Sequence, residues 1–250
     1  MKLFFRVFCL LAGFIALWQT AIYLFDLPSY ILPTPWRVLS TLHDHFRLIL
    51  NETKITLIET GLGLMFGTLL GAIAALIMAS CRSISVWVLP LLVVSQAIPT
   101  FAVAPLLVIW FGYGMTSKIA TAILMIFFPV ASSFFDGLKE TPLGWQELGK
   151  TMNAKRWRFF WYIRIPAALP KLASGLRIAT VAAPIGAVIG EWVGASQGLG
   201  FLMLNANARM QIDLMFAALF VLMIFSLTLY FLMDKSLNWL VPWQKTQEPS

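Results

Sequence analysis

The stretch TPLGWQELGKTMNAKRWRFFWYIRIPAALPK, residues 141–171, decides how this chain is organised. It stands between two hydrophobic runs and carries six lysines and arginines but only one acid, Glu147. Short loops that are translocated across a membrane are poor in Lys and Arg, whereas loops that stay in the cytoplasm are rich in them. The stretch is therefore predicted to be a cytoplasmic loop between two membrane-spanning helices.

The spacing within this loop predicts two short helices joined by a turn. Thr141 is expected to cap the first helix and Pro142 to occupy its first turn, where a missing N–H costs nothing. Three large apolar residues recur at three- and four-residue spacing and share one face: Trp145, Leu148 and Met152. Asn153 is expected to form the turn, since asparagine tolerates the left-handed backbone conformation. The second helix, 154–163, is expected to end ahead of Pro166.

The loop resembles the EAA loop of ABC importer permeases, in which E-A-A is followed by G and then by I-x-L-P. The matching positions are Glu147, Asn153, Ile163, Ile165 and Pro166. Leu148 and Gly149 replace the two alanines, and Asn153 replaces the glycine. In that family the loop forms coupling helices that dock into a groove of a cytoplasmic ATPase subunit. The resemblance implies ATPase coupling by Trp145, Glu147, Leu148, Met152, Asn153, Arg156, Ile163 and Pro166. The alternative is a basic interfacial loop that sets topology and contacts lipid headgroups.

The composition is that of an all-α integral membrane protein. Hydrophobic residues make up 60% of the chain, charged residues 12%, and the mean hydropathy is +0.83. Hydropathy, with charged, glycine and proline residues marking the ends, predicts six transmembrane helices: 7–25, 56–79, 86–111, 119–135, 172–193 and 214–233. Four glycines at spacings of two and four predict close packing of the second span against a neighbouring helix: Gly61, Gly63, Gly67 and Gly71.

The segments around these spans divide the chain into three parts. Residues 1–55 hold the first span and an external interfacial helix, 56–240 the permease core with the loop, and 241–250 a short cytoplasmic tail. No small-residue cleavage site follows the first apolar run, so it is interpreted as a retained span. His43 and His45 lack a third ligand nearby, and the two cysteines have neither metal nor disulfide spacing, so no metal site is expected.

The uncharged run at 83–117 is compatible with one kinked crossing or two short ones. A single crossing is preferred because it keeps the basic segments on one side. Of the 18 Lys and Arg, thirteen then lie inside, together with both termini, and five lie outside: Arg37, Arg47, Lys54, Lys118 and Arg209. This topology suits the plasma (inner) membrane of a prokaryote. The basic residues follow the topology, so membrane lipid is the expected partner and nucleic acid is not.

Motifs for catalysis are missing from the sequence. It contains no P-loop, no dinucleotide fingerprint and no HExxH, so no enzymatic activity and no cofactor are expected. Polar groups within spans are functional candidates, and the predicted substrate pathway comprises Gln96, Pro99, Glu191 and Trp192. An interhelical hydrogen bond for Gln96 and local pairing for Glu191 remain the alternatives. As a pathway carboxylate, Glu191 is expected to favour neutral or cationic ligands.

Three further stretches resemble the nitrate/sulfonate/taurine branch of type I ABC importer permeases: LPTPWRVLSTL, IPTFAVAPLLVIWFGYG and GEWVGASQGLGFLM. The last, with NARMQIDLMFAAL, is similar to permeases for thiamine-precursor (hydroxymethylpyrimidine) uptake. The resemblance implies two copies of the chain, two ATPase subunits and an extracytoplasmic solute-binding protein. The alternatives are a sulfonate, taurine or nitrate permease of the same type, or a stand-alone secondary transporter. The latter is expected to show repeated halves or intramembrane ionisable pairs, and neither is visible in the sequence.

Overall fold

The computed structural model describes residue 13 and residues 15–243, and the regular elements within these residues are all helical. In chain order they are α1 Ile15–Leu24, α2 Pro35–Asp44, α3 Phe46–Ser80, α4 Arg82–Ala97, α5 Thr100–Phe111, α6 Met115–Lys139, α7 Leu143–Thr151, α8 Arg156–Phe159, α9 Ile165–Gly194, α10 Leu199–Ala208 and α11 Ile212–Leu240. A π-helical turn, Phe160–Arg164, joins α8 to α9. The beginning of the predicted first span and most of the predicted tail lie outside the described residues.

Four helical stretches are long and apolar enough to cross a membrane: α3, α6, the continuous stretch Arg156–Gly194, and α11. They contain the predicted second, fourth, fifth and sixth spans. The helices extend beyond those spans, because hydropathy marks only the part that suits lipid. At 1.5 Å per residue, the 35 residues of α3 extend over about 52 Å, against about 30 Å of hydrocarbon.

The predicted third span, 86–111, consists of two helices, α4 and α5, with a bend of 103° between them. Leu92 of α4 packs in one cluster with Ala168, near the beginning of α9. Val108 of α5 lies beside Gly194, at the end of α9. The two halves therefore pack at opposite ends of the same helix; that they form one broken crossing, as the sequence analysis prefers, stays a prediction.

The chain divides into two compact units. Unit 1 comprises Met1–Thr56 and Ser196–Ile224, and unit 2 comprises Leu57–Ala195 and Phe225–Ser250. In unit 1, α2 is present where the interfacial helix was predicted; its position at a membrane surface stays a prediction, as does the predicted division into three parts.

The core of unit 2 is built on close approach of α3, α6 and α9. Three of the four glycines predicted to pack against a neighbour do so, on α6: Gly63, Gly67 and Gly71. A Cβ added to Gly63 would lie 2.5 Å from the Cβ of Ala122, and one added to Gly186 of α9 would lie 2.8 Å from the Cα of the same residue. Gly61 has no neighbour within 4 Å of such a Cβ. Small residues thus allow three helix backbones to pack closely.

In unit 1 a turn at Gly198 leads into α10. Gly198 precedes this helix with a φ of 113°, a conformation that glycine adopts without the penalty of a Cβ. Its N–H donates to Glu52 Oε2 at 2.5 Å, and the N–H of Leu199 donates to Thr56 Oγ1 at 2.9 Å. Side chains from α3 therefore satisfy the first donors of α10, which the helix itself leaves unpaired.

Candidate functional site

The first helix of the basic loop is α7, and it begins later than the sequence predicts. Pro142 lies before the helix with an extended backbone, ψ 136°, and the Thr141 hydroxyl donates to the carbonyl of Leu138 at 3.4 Å. The predicted Thr141 cap is therefore wrong, because the helix cannot include a residue with that ψ. The predicted turn is confirmed: Asn153 has a φ of 48°, and its N–H donates to the carbonyl of Lys150 at 3.0 Å.

The second helix does not end ahead of Pro166, as the sequence predicts. It begins at Arg156 and continues through the π-helical turn into α9 as one helical stretch. In that turn the N–H of Ile165 donates to the carbonyl of Phe160, five residues earlier. A proline ring normally collides with the carbonyl four residues before it, and the wider π turn relieves that collision. The helix therefore passes the proline without a break.

Two contacts brace the loop. A Cβ added to Gly149 of α7 would lie 2.5 Å from Cδ2 of Phe159, so the aromatic ring of α8 rests directly on the α7 backbone. Arg164 donates from Nε and Nη2 to the carbonyl of Leu138, at 3.0 and 2.7 Å. A cation is favourable there, because the last carbonyls of α6 have no intrahelical partner. The contacts hold α7 against α8, and the π turn against the end of α6.

The apolar face predicted on α7 is exposed on the isolated chain. Trp145, Leu148 and Met152 all face away from the core, with Met152 72% exposed. Of the predicted coupling residues, six are exposed and two are half-buried: Trp145, Glu147, Leu148, Met152, Asn153 and Arg156, then Ile163 and Pro166. Groups of exposed large apolar residues commonly mark a surface that meets a partner. We call the exposed residues Trp145, Glu147 and Leu148 of α7, together with Met152 directly after it, the loop face.

The four predicted pathway residues lie in two places. Gln96 and Pro99 flank the bend between α4 and α5, and both are exposed. Trp192 is exposed in the last turn of α9, whereas Glu191 beside it is 0% exposed. Their assignment to a substrate path stays a prediction. The carboxylate of Glu191 does not, however, form an open charged mouth on this chain.

Glu191 belongs to a buried charged cluster that the sequence analysis did not identify. Lys118 of α6 donates to Glu59 Oε1 of α3 at 2.5 Å. Glu191 follows Gly190 on α9, and a Cβ added to Gly190 would lie 2.8 Å from the Cα of Lys118. Glu59 is 0% and Lys118 5% exposed. Lys118 is enclosed because α6 begins at Met115 and carries the lysine into the bundle; its predicted place on the outer side of the membrane stays a prediction. We call these three residues the buried triad.

A signal for the triad was present in the predicted topology. Glu59 falls near the beginning of the predicted second span, 56–79, Lys118 just before the fourth, 119–135, and Glu191 near the end of the fifth, 172–193. Three ionisable residues at one membrane level are candidates for pairing, since charges near hydrocarbon are costly alone. The sequence does not show which spans are neighbours, and this information was needed to pair the three residues.

Arg177 of α9 pairs with an acid of α11 rather than with Glu191. Its Nε donates to Asp234 Oδ1 at 2.7 Å and its Nη2 to Asn238 Oδ1 at 2.9 Å. Arg177 and Glu191 are also separated by about 21 Å along α9, at 1.5 Å per residue. Arg177 therefore ties α9 to α11, while Lys118 supplies the positive charge of the triad.

Comparisons with known proteins agree with this fold. Residues 67–246 match the family model described as "Binding-protein-dependent transport system inner membrane component". A probable ABC transporter permease protein of Haemophilus influenzae is 54% identical over 225 residues, 90% of each chain. The formylaminopyrimidine transport permease protein ThiX of Halalkalibacterium halodurans is 36% identical over 232 residues, 92% of each chain.

A solved structure shows the same helical fold. An inward-facing form of the MetNI methionine ABC transporter aligns with a TM-score of 0.65 and 20% identity, over 78% of this chain and 97% of that chain. The chain therefore belongs to the family of binding-protein-dependent transport system inner membrane components, and it is a transport permease rather than an enzyme.

Proposed function

We propose that the chain is the membrane-spanning subunit of an ATP-binding cassette importer that brings a small organic solute into the cytoplasm. The energy comes from ATP hydrolysed by a partner. The observation that carries this proposal is the loop face: large apolar side chains are exposed on a helix that Phe159 and Arg164 brace. A braced apolar surface transmits movement, because it cannot yield without disturbing α6 and α9. The partner of the loop face is a cytoplasmic ATPase subunit.

The assembly we propose contains two copies of this chain, two ATPase subunits and an extracytoplasmic solute-binding protein. The description of the family as binding-protein-dependent supports the last partner. Six spans with both termini in the cytoplasm are supported by the four long helices, by the bent pair of α4 and α5, and by the apolar helix α1. The loop 141–171 then lies in the cytoplasm, and the membrane is the inner membrane of a prokaryote.

The substrate we propose is a pyrimidine precursor of thiamine. The support is the 36% identity to a permease named for formylaminopyrimidine transport. The charge of Glu191 does not support this choice, since that carboxyl group is enclosed with Lys118 and Glu59. A sulfonate, taurine or nitrate permease therefore remains the alternative that an uptake experiment must separate.

The buried triad must be weighed against the alternative function, a stand-alone secondary transporter. The sequence analysis found no intramembrane ionisable pair, whereas Lys118 and Glu59 form a buried pair close to the beginning of α6. Such pairs occur in secondary transporters. The family match over residues 67–246 nevertheless identifies the chain as a binding-protein-dependent permease. The pair alone is no evidence for ion-driven transport.

The experiment is uptake in cells that lack their own pyrimidine-precursor permease. The chain is expressed with an ATPase and a solute-binding protein of the same importer type from its own organism, and entry of labelled formylaminopyrimidine is measured with taurine or nitrate as competitor. We expect uptake that requires an active ATPase and resists both anions. Uptake blocked by taurine would instead identify an anion permease of the same type. Uptake that persists with a catalytically inactive ATPase and stops with a proton-gradient uncoupler would contradict the importer assignment.

A further inference from the structure

Unit 1 contains an open apolar groove of about 640 Å³ between α1 and the first turns of α11. Leu17 and Trp18 of α1 form one wall, and the ring centroids of Trp18 and Phe216 lie 5.9 Å apart. Leu32, in the segment between α1 and α2, also lines the groove. The other wall is a stripe of α11 whose members recur at three- and four-residue spacing and so share one helix face: Phe216, Leu219, Phe220 and Met223.

The groove has the depth of one leaflet of a membrane. Helix α11 is one of the four stretches that are long and apolar enough to cross a membrane, and it is the least buried of them. From Asp213, in its first turn, to Met223 the helix rises about 15 Å, at 1.5 Å per residue. The hydrocarbon of a bilayer is about 30 Å thick, so each leaflet contributes about 15 Å. An acyl chain that stands upright in one leaflet can therefore lie along the whole stripe.

An acidic and a basic side chain stand at the end of the stripe. Asp213 lies one turn before Phe216 on α11, and Nε of Arg37, on α2, is 3.9 Å from Asp213 Oδ2. That distance is too long for a hydrogen bond, and the two side chains are 54% and 34% exposed for Arg37 and Asp213. The guanidinium group can therefore donate to phosphate oxygens, which its planar fork suits, and the carboxylate can accept from an ammonium group.

We propose that this groove binds one phospholipid with an ethanolamine headgroup. One acyl chain lies between α1 and α11, the phosphate meets Arg37, and the ammonium group meets Asp213. The pair of opposite charges complements a zwitterionic headgroup. A choline headgroup has no N–H to donate to the carboxylate, and a headgroup with a net negative charge is repelled by it. In the proposed topology the site lies in the outer leaflet, and it is independent of which solute the permease carries.

A second copy of the chain is the other candidate for covering an exposed apolar face. It fits this face less well, because charged residues are depleted at the centre of protein interfaces, whereas Arg37 and Asp213 stand directly at the end of the stripe. A phospholipid presents its charged head and its apolar chain in the same order as the charged pair and the groove.

Native mass spectrometry of the purified, full-length permease tests the proposal. Protein freed of its own lipid is mixed with equal amounts of phosphatidylethanolamine, phosphatidylcholine and phosphatidylglycerol that carry the same acyl chains. We expect one ethanolamine lipid per chain, bound roughly two- to fivefold more than either other lipid, since exposed ion pairs are weak. Asp213→Asn should remove the preference over phosphatidylcholine, because the amide does not attract the ammonium group.

A substitution that fills the groove separates this site from lipid bound elsewhere on the surface. Leu219→Trp should abolish the preferential binding of the ethanolamine lipid. Leu227→Trp is the matched control, since Leu227 is an exposed apolar residue of the same helix that does not line the groove, and it should bind like the wild type.

A second measurement needs no variant. A lipid that binds the folded protein raises the midpoint of thermal unfolding, and phosphatidylethanolamine should raise it more than phosphatidylcholine at the same concentration. The proposal is overturned if the wild type shows no preference for the ethanolamine lipid in both measurements, or if Leu219→Trp keeps the preference. It is also overturned if Leu219→Cys forms disulfides between two copies in native membranes, because the groove would then be an interface between copies.

Discussion

The ring of Phe159 occupies the space beside Gly149 in which any other residue would place its Cβ. Gly149→Ala should therefore push α8 away from α7, at a cost of about 1–3 kcal/mol for overpacking. Because about 1.4 kcal/mol is a factor of ten in an equilibrium, we expect solute uptake to fall roughly tenfold. The measurement is uptake at equal amounts of permease in the membrane.

Gly144→Ala is the control for this variant. Gly144 lies on the same helix, α7, but a Cβ added there has no neighbour within 4 Å. It should transport like the wild type. If both variants are equally active, the contact between the two short helices does not matter for coupling.

Charge reversal at Glu147 tests docking by the loop face. Glu147 is the one acid among the basic residues of 141–171 and is exposed beside Leu148. Glu147→Lys should abolish transport and weaken co-purification of the ATPase, while membrane insertion is unchanged. The measurements are uptake and the ratio of ATPase to permease after purification.

The matched control for Glu147→Lys is Glu140→Lys. Glu140 is an exposed acid whose contact with Lys171, at 3.2 Å, is a surface ion pair of about 0–1 kcal/mol. This variant should retain most transport. Normal uptake and normal ATPase binding by Glu147→Lys would show that the loop face is not the docking surface.

Thiol labelling tests the topology. Ser40 of α2 is predicted outside the cell and Thr151 of α7 inside, and both are exposed on the chain. With Cys9 and Cys81 replaced by serine, Ser40→Cys should react with a membrane-impermeant reagent in intact cells, and Thr151→Cys should react only after the cells are opened. The opposite labelling pattern would refute a cytoplasmic loop.

The α3–α6 interface predicts different effects for two neighbouring glycines. A Cβ at Gly63 meets Ala122, whereas one at Gly61 meets nothing within 4 Å. Gly63→Ala should lower the free energy of unfolding by about 1–3 kcal/mol. Gly61→Ala should leave it unchanged or raise it by up to about 1 kcal/mol, the difference in helix propensity. Thermal unfolding in detergent measures both, and equal midpoints would contradict the close packing.

The exposed position of Gln96 at the bend tests the pathway. If its amide contacts the solute, Gln96→Leu should raise the solute concentration needed for half-maximal uptake roughly fivefold or more, since leaving a buried polar group of the solute unpaired costs about 1–3 kcal/mol. Val94→Leu, at another exposed position of α4, is the control. An unchanged half-maximal concentration for Gln96→Leu would remove this residue from the pathway.

The positions of the spans followed from the sequence because hydropathy acts locally. The turn at Asn153 was equally local, since one residue had to adopt a positive φ between two amphipathic helices. The end of the second helix at Pro166 was not, because local rules count a proline as a stop. They do not include the π-helical turn Phe160–Arg164, which comes just before Pro166 and lets the helix continue through the proline.

The sequence by itself determined a multi-span helical membrane protein with a basic, amphipathic loop, because hydropathy, charge bias and helix periodicity are properties of short segments. Only the tertiary structure decided that the Lys118 side chain is enclosed, paired with Glu59, and that the α9 backbone beside Glu191 lies against it. The reason is that burial of an ionisable group depends on which helices are neighbours and on their relative height. In α3, α6 and α9 the choice of neighbour and the relative height are set by contacts between residues far apart in the chain, such as Gly63 with Ala122 and Gly190 with Lys118.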